Sequence, residues 1–171
     1  MKVALTGTPG VGKTSVASLV NGIEVVSVND LAKSYNAIVG IDEERDTAEV
    51  DIDTLAEAVS EMEGDVLLEG HLSHLLEVDQ AIVLRCSPTV LKQRLSTKGW
   101  SDAKVRENLE AEAVDVILIE AVDAVTRVCE VDTTSLSIEE VSRAVEAILA
   151  GESEKYPVGH VDWSQEVFDW F

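Results

Sequence analysis

The 171 residues are enough for one sizeable domain; 46% of them are apolar, which suffices for a buried core, but only 4% are aromatic. With 33 acidic residues against 13 basic ones, the formal net charge is -20, which argues against direct DNA binding because that depends on Lys and Arg. No apolar run reaches about 18 residues, so we expect no membrane span.

Two explanations of the acidity stay open: adaptation to a salty cytoplasm, or an acidic surface that attracts a basic protein partner. The chain enters a strand almost at once, which predicts that no signal peptide is present. Cys86 and Cys129 lie in apolar stretches without metal-ligand spacing, so we expect reduced core residues in a cytoplasmic protein.

Strands and helices are predicted to alternate along the chain. The predicted strands are 2–6, 23–28, 65–71, 81–86 and 127–132. The predicted helices are 13–20, one capped by Asn29-Asp30, 53–62, one that begins at Pro88, one from Ser101 or Asp102 to about Ala124, and 137–149 with a capping box of Ser137 and Glu140. The stretch 40–57 is acidic and is predicted to be irregular until its helix begins. Such alternation predicts an α/β fold whose parallel sheet is covered on both faces.

The octapeptide "GTPGVGKT" at 7–14 follows the first strand and precedes the first helix. In this pattern Gly10 and Gly12 let backbone N–H groups approach phosphates at the start of the helix. Lys13 can reach the outer phosphates, and the Thr14 hydroxyl can ligate Mg²⁺. The motif and its position between strand and helix predict a nucleotide-phosphate site.

A carboxylate that holds the metal or its waters is expected at the end of a neighbouring strand. Asp65 and Glu69 both belong to the third predicted strand. Glu69 is the better candidate because it lies at the carboxyl end of that strand, where ligands bind in such sheets. His71, two residues later, is predicted to point to the same side, with a purely structural role as the alternative.

Six cations lie in segments that could reach bound phosphates: Lys13, Arg45, Arg85, Arg94, Lys98 and Arg106. Arg45 is the one basic residue in the acidic stretch. The alternative for each is an ordinary solvent-facing charge.

Several stretches together resemble the sixth isoenzyme type of adenylate kinase and its archaeal relatives. They are "GTPGVGKTS", "NDLA" at 29–32, "GIDEERD" at 40–46, "EGH" at 69–71 and "RLSTKGWSDAKVRENLEAE" at 94–112. The resemblance runs in order from about Lys2 to Leu149. It implies a three-layer P-loop NTP hydrolase fold of the nucleoside monophosphate (NMP) kinase type in 1–150, with five parallel strands. An NMP-binding insertion near 29–52 is implied as well, in which Arg45 is a candidate for binding the acceptor's phosphate. A short lid near 97–107 is also implied, and its closure could bring Arg94, Lys98 and Arg106 inward. An aromatic, acidic tail forms 151–171.

The same resemblance implies two activities. One is transfer of phosphate from ATP to AMP, possibly with broad NMP specificity, in the presence of Mg²⁺. The other is ATP hydrolysis during late maturation of the small ribosomal subunit and its rRNA, through transient binding of a basic ribosomal protein. An ATPase assembly factor with little kinase activity, or another small-molecule P-loop kinase, stays an alternative.

The site residues implied by the resemblance fall into two groups. Those implied to bind ATP are Gly10, Gly12, Lys13, Thr14 and Ser15, with Lys98 at a position where an Arg usually contacts the nucleotide. Those implied in Mg²⁺ binding and hydrolysis are Glu69, which stands where relatives have Asp, and His71. Lysine keeps the charge of arginine but loses its planar, stacking fork.

The last sixteen residues, 156–171, hold five of the seven aromatic residues. Exposed aromatic residues often anchor a protein interface. The alternative is that Trp163, Phe168 and Trp170 dock on their own domain.

Overall fold

A computed structural model describes residues 1–42 and 47–168. The strands in these residues are β1 (Lys2–Thr6), β2 (Glu24–Ser27), β3 (Ile38–Asp42), β4 (Thr47–Val50), β5 (Val66–Glu69), β6 (Gln80–Arg85) and β7 (Val128–Asp132). Five of them form one parallel sheet in the order β2-β5-β1-β6-β7. The predicted α/β fold with five parallel strands is confirmed.

Helices cover both faces of this sheet. They are α1 (Lys13–Ala17), α2 (Val28–Ser34), α3 (Ile52–Ser60), α4 (Pro88–Ser96), α5 (Asp102–Ala113), α6 (Val116–Ala124), α7 (Ile138–Leu149) and α8 (Ser164–Phe168). Alternate strand residues face opposite sides, as the pleat requires. Val3 and Leu5 therefore pack with α1, α4 and α7, whereas Ala4 packs with α6. The outcome is three layers, with the carboxyl ends of the parallel strands at one edge.

The long helix predicted up to Ala124 is two helices. It breaks between α5 and α6, where Asp115 adopts a left-handed conformation with φ 60°. Leu109 of α5 packs in the core on one face of the sheet, and Leu118 of α6 packs on the other. A continuous helix could not pack on both faces, so tertiary packing overrides helix propensity here.

The acidic stretch predicted to be irregular contains regular structure. β3 and β4 pair as an antiparallel hairpin, and α3 begins after Asp51, whose carboxylate accepts from the N–H groups of Asp53 and Thr54. Val39 and Ile41 are exposed on this hairpin, so no buried face marked it as a strand in the sequence. Residues 43–46, between the two strands, lie outside the described residues.

Helix caps were only partly predicted. α2 begins earlier than expected, because Ser27, not the Asn29-Asp30 pair, is its N-cap and accepts from the Asp30 N–H. The capping box of Ser137 and Glu140 is present at α7 as predicted.

Both cysteines are free and buried, as expected. In the ranges described, no helix is both long and apolar enough to cross a membrane.

Candidate phosphate-binding site

A cavity of about 390 Å³ opens at the carboxyl edge of the sheet, beside the loop that joins β1 to α1. Its lining comes from this loop and α1, from the end of α4 and the residues just after it, and from the β7–α7 connection and the start of α7. The lining residues are Gly10, Val11, Gly12, Lys13, Thr14, Ser15, Val16, Arg94, Lys98, Thr133, Leu136, Ile138 and Val141. The predicted ATP-binding residues thus line one cavity.

The charge of this cavity is opposite to that of the chain. Three of the described lining residues are basic, namely Lys13, Arg94 and Lys98, and none is acidic. The whole chain has 33 acidic residues and a net charge of -20. A local concentration of positive charge in such a chain favours an anionic ligand.

Two glycines shape the loop in different ways. Gly12 has φ 109° and is the N-cap of α1, and a side chain there would meet open space. Gly10 has φ 97°, and a Cβ there would approach the Leu95 side chain to 2.6 Å. The left-handed conformation favours glycine at both positions, and close packing on α4 reinforces this at Gly10.

The Lys13 side chain lies along the loop. Its Nζ donates to the Gly7 carbonyl at 2.7 Å and to the Thr8 carbonyl at 3.1 Å. Burial lowers the pKa of Lys13 to about 8; nearby Glu69 opposes this shift, whereas Lys98 adds to it. The ammonium group is therefore held at a high-energy position that a phosphate would stabilise.

Thr14 and Glu69 meet at the inner end of the loop. The Thr14 Oγ1 donates to the Glu69 Oε1 at 3.0 Å, and Glu69 is largely buried at the end of β5. Asp65, at the other end of that strand, pairs with the N-terminal ammonium at 2.5 Å. A hydroxyl and a carboxylate are ligands that fit Mg²⁺, which takes one or two protein oxygens together with waters and phosphate oxygens.

His71 lies two residues beyond Glu69 and is partly buried. Burial lowers the pKa of His71 to about 4, and the positive charges of Lys13 and His74 act in the same direction. The imidazole is therefore neutral at physiological pH and keeps one nitrogen able to accept a proton. A general base needs such an accepting nitrogen, but a pKa this far below neutral makes the His71 imidazole a weak base.

Arg94 joins two walls of the cavity. Its guanidinium donates to the Val11 carbonyl at 3.2 Å, and to the Oγ1 and carbonyl of Thr133 at 3.1 and 2.9 Å. These hydrogen bonds connect the loop between β1 and α1, residues 7–12, to the segment after β7. We call residues 7–12 the phosphate-binding loop. Lys98, one turn later, lines the same cavity.

Two of the six cations are not where we expected them. Arg85 is 1% exposed and is paired with Glu112, Asp115 and Glu130, so it cannot reach a phosphate in the cavity. Arg106 is exposed, pairs with Glu110, and lines a different cavity between α4 and α5. Arg45 lies outside the described residues.

The apolar wall of the cavity was not predicted from the sequence. It consists of Leu136, Ile138 and Val141, which follow β7. Leu136 and Ile138 are 40% and 45% exposed. These residues follow the carboxyl end of a predicted parallel strand, which could have indicated that they lie near a ligand. That prediction also required the order of the strands, because β7 is separated from β1 only by β6.

The tail is docked at Trp163. This residue is 9% exposed and its Nε1 donates to the buried Glu112 at 3.2 Å, whereas Phe168 is 77% exposed. Trp163 is therefore not available as an exposed anchor for a partner. Trp170 lies outside the described residues.

Comparisons with known proteins agree on the type of fold. Residues 3–115 match a family model described as an AAA domain. Proteins named "Putative adenylate kinase" match over nearly the whole chain. The one from Archaeoglobus fulgidus is 49% identical over 99% of this chain and 95% of its own. Those from Natronomonas pharaonis and Methanocaldococcus jannaschii are 42% and 38% identical, over 98% and 99% of this chain and 100% and 97% of theirs.

Solved structures of small P-loop kinases share the fold. The shikimate kinase from Aquifex aeolicus superposes with a TM-score of 0.57 at 17% identity, over 90% of this chain and 99% of that one. The gluconokinase from Sinorhizobium meliloti gives a TM-score of 0.53 at 17% identity, over 90% of this chain and 94% of that one. At these identities the likeness concerns the fold alone.

Proposed function

Because the chain belongs to the archaeal family of adenylate kinase-type P-loop proteins, we propose that it is a nucleoside monophosphate kinase. ATP is the donor in this proposal, and AMP is the acceptor, so that one ATP and one AMP give two ADP.

One observation carries the proposal: the cavity beside the phosphate-binding loop is basic in an acidic chain. Lys13, Arg94 and Lys98 line it without an acidic neighbour among the described lining residues. Phosphoryl transfer needs mainly positioning and neutralisation of the charge that spreads over the transferred group. The three cations are suited to that task.

The reaction breaks the bond between the γ-phosphorus of ATP and its bridging oxygen and forms a bond to an AMP phosphate oxygen. That acceptor oxygen is already anionic near neutral pH, so the transfer itself requires no general base. Lys13, which lies along the loop, binds the outer phosphates. Thr14 and Glu69 would hold Mg²⁺, directly or through water, and its positive charge would be supplied there to offset the charge of the phosphates.

The apolar wall of the cavity is the surface on which we expect the nucleobase of ATP to bind. Leu136 and Ile138 are half-exposed large apolar side chains next to the phosphate-binding loop. Contact with a flat base would bury them, which is favourable by the usual hydrophobic term. Lys98 cannot stack on the base as an arginine would, so we expect this wall to contribute most of the base affinity.

Product analysis tests the proposal. Purified protein is incubated with Mg-ATP, with and without AMP, at several salt concentrations at which the fold is verified by circular dichroism. We expect each AMP consumed to remove one ATP and to yield two ADP, and we expect Lys13→Met to abolish this. A folded protein that never phosphorylates AMP would rule the kinase out.

Slow ATP hydrolysis is a second candidate activity, supported by the position of the partly buried His71 two residues beyond Glu69, at the carboxyl end of β5. Water, unlike a phosphate acceptor, must lose a proton when it attacks, and a neutral imidazole can take it. AMP-independent release of phosphate, measured in the same preparation, tests this activity.

A basic ribosomal protein is a further proposed partner, supported by the net charge of -20. Its test is nucleotide-dependent co-purification with small-subunit ribosomal proteins, with a matched acidic protein of similar size as the control bait. Capture that is the same with either bait, or with every nucleotide, would remove the proposal.

A further inference from the structure

Glu112, at the end of α5, connects three parts of the molecule. It is 3% exposed, and its Oε1 accepts from the Arg85 Nε at 2.8 Å, the Cys86 N–H at 3.2 Å and the Trp163 Nε1 at 3.2 Å. Its Oε2 accepts from the Thr8 Oγ1 at 2.5 Å. This single carboxylate therefore joins the end of β6, the C-terminal segment and the phosphate-binding loop.

Thr8 is one of the two residues whose backbone carbonyls accept from the Lys13 ammonium group. Its carbonyl accepts from the Lys13 Nζ at 3.1 Å and from the Val11 N–H at 3.3 Å, while its side chain is held by Glu112. The Thr8 side-chain contact therefore holds a residue whose backbone carbonyl contacts the Lys13 ammonium group. Hydrogen bonds to a buried carboxylate are strong enough to fix such a position.

Carboxylates hold the C-terminal segment 157–168 on the main domain, the buried Glu130 from the domain side and Glu166 from the segment itself. The Gly159 and His160 N–H groups donate to the Glu130 Oε2 at 2.8 and 3.3 Å. Farther along, Glu166 accepts from the Ser87 Oγ and from the N–H and Oγ1 of Thr89, at the first turn of α4. The indole of Trp163 is thereby held in place against Glu112.

The balance of charge around Arg85 explains why the Trp163 N–H stabilises Glu112. The Arg85 guanidinium is shared by Glu112, Glu130 and the more exposed Asp115. One positive charge cannot balance two fully buried carboxylates, so neutral N–H donors must supply the remaining stabilisation. The indole N–H is the donor that the C-terminal segment gives to Glu112.

We propose that Trp163 is a positioning residue for the phosphate-binding loop, which acts through Glu112 on Thr8 and so on Lys13. The inference rests on the proposed binding of ATP at this loop. It gives the C-terminal segment a part in ATP binding although this segment does not line the cavity.

A double-mutant cycle in Mg-ATP affinity tests the proposal. Trp163→Phe removes the N–H donor and keeps an aromatic ring, and Thr8→Val removes the hydroxyl at nearly constant volume. We expect each change alone to weaken Mg-ATP binding by about threefold to tenfold, and Trp163→Phe to add little in the Thr8→Val background. The matched control is Phe168→Leu, five residues away and exposed, which should change affinity in neither background.

Steady-state kinetics separate positioning from loss of fold. We expect Trp163→Phe to raise KM for ATP while KM for AMP stays unchanged. Equal weakening by Trp163→Phe in the Thr8 and Thr8→Val backgrounds, or no weakening at all, would overturn the inference. A wild-type protein without measurable ATP affinity would instead refute the proposed function.

Fluorescence gives a test that does not alter Trp163. In the Trp100→Phe/Trp170→Phe protein, Trp163 is the single tryptophan, since the chain has three. We expect saturating Mg-ATP to change its emission, and Thr8→Val to reduce that change strongly at saturation. The inference would also be overturned if the Trp163 emission did not change with ATP in a protein that calorimetry shows to bind ATP.

Discussion

Without a bound phosphate, the charge of Lys13 destabilises the folded protein, and replacing it by Met should reveal this. The side chain is 8% exposed, and burial lowers its pKa from 10.5 to about 8 despite the attraction of Glu69. At pH 7 the lysine is protonated in the folded and unfolded states, so the cost of the buried charge is fully present. A shift of this size corresponds to about 3 kcal/mol.

The sign of the pH dependence follows from proton binding. Between pH 8 and 10.5 the unfolded chain keeps the Lys13 proton and the folded chain does not, so wild-type stability rises with pH in that window. Lys13→Met has no such proton. We therefore expect the free energy of unfolding of the variant, minus that of the wild type, to fall by about 3 kcal/mol from pH 7 to 10.5.

Urea unfolding at constant salt, repeated at half-unit steps from pH 7 to 10.5, measures this difference. Lys33→Met is the matched control, because Lys33 is an exposed lysine on α2 and its difference from wild type should stay constant. The electrostatic argument for Lys13 is refuted if the Lys13→Met difference is independent of pH or grows as pH rises.

Three further outcomes are expected. His71→Ala should lower AMP-independent phosphate release while calorimetric ATP affinity and transfer to AMP persist; unchanged hydrolysis would leave His71 a structural role only. Arg85→Met should cost about 3–5 kcal/mol in urea unfolding, because Glu112 and Glu130 lose their buried cation, whereas a cost near zero would contradict the pairing. The thermal midpoint should rise steadily from low to molar salt as the net charge of -20 is screened, and a flat profile would argue against adaptation to salt.

Local signals in the sequence sufficed for the sheet and the phosphate-binding loop. Short apolar runs such as 81–86 indicated buried strands, and the loop motif stood between a strand and a helix. The rule that ligands lie at the carboxyl ends of strands favoured Glu69 over Asp65. The structure places Glu69 next to Thr14 and Asp65 next to the N-terminus.

Contacts between distant parts of the chain could not be predicted. Arg85 was counted among the cations that could reach the phosphates, because nothing near it in the sequence indicated its pairing with Glu112 and Glu130, 27 and 45 residues away. The break at Asp115 has the same origin. It depends on the packing of the two halves of the segment on opposite faces of the sheet.

The apolar wall and the docked Trp163 also depend on tertiary structure. Leu136 and Ile138 reach the cavity only because β7 lies next to β6, so that the connection after it passes the phosphate-binding loop. Trp163 occurs in a stretch rich in aromatic residues, a composition that fits an exposed anchor as well as a docked segment. The burial of its side chain and the partner of its N–H, the buried Glu112, distinguish the two.

Calorimetric titration of Mg-ATP tests the central claim that the loop at 7–14 binds the phosphates of a magnesium nucleotide. The proteins to compare are wild type, Lys13→Ala and Thr14→Ala, with Lys33→Ala as the matched control. We expect saturable binding by the wild type and the control, and loss of most of the affinity in the other two variants. ATP affinity that is the same in all four proteins would contradict the account.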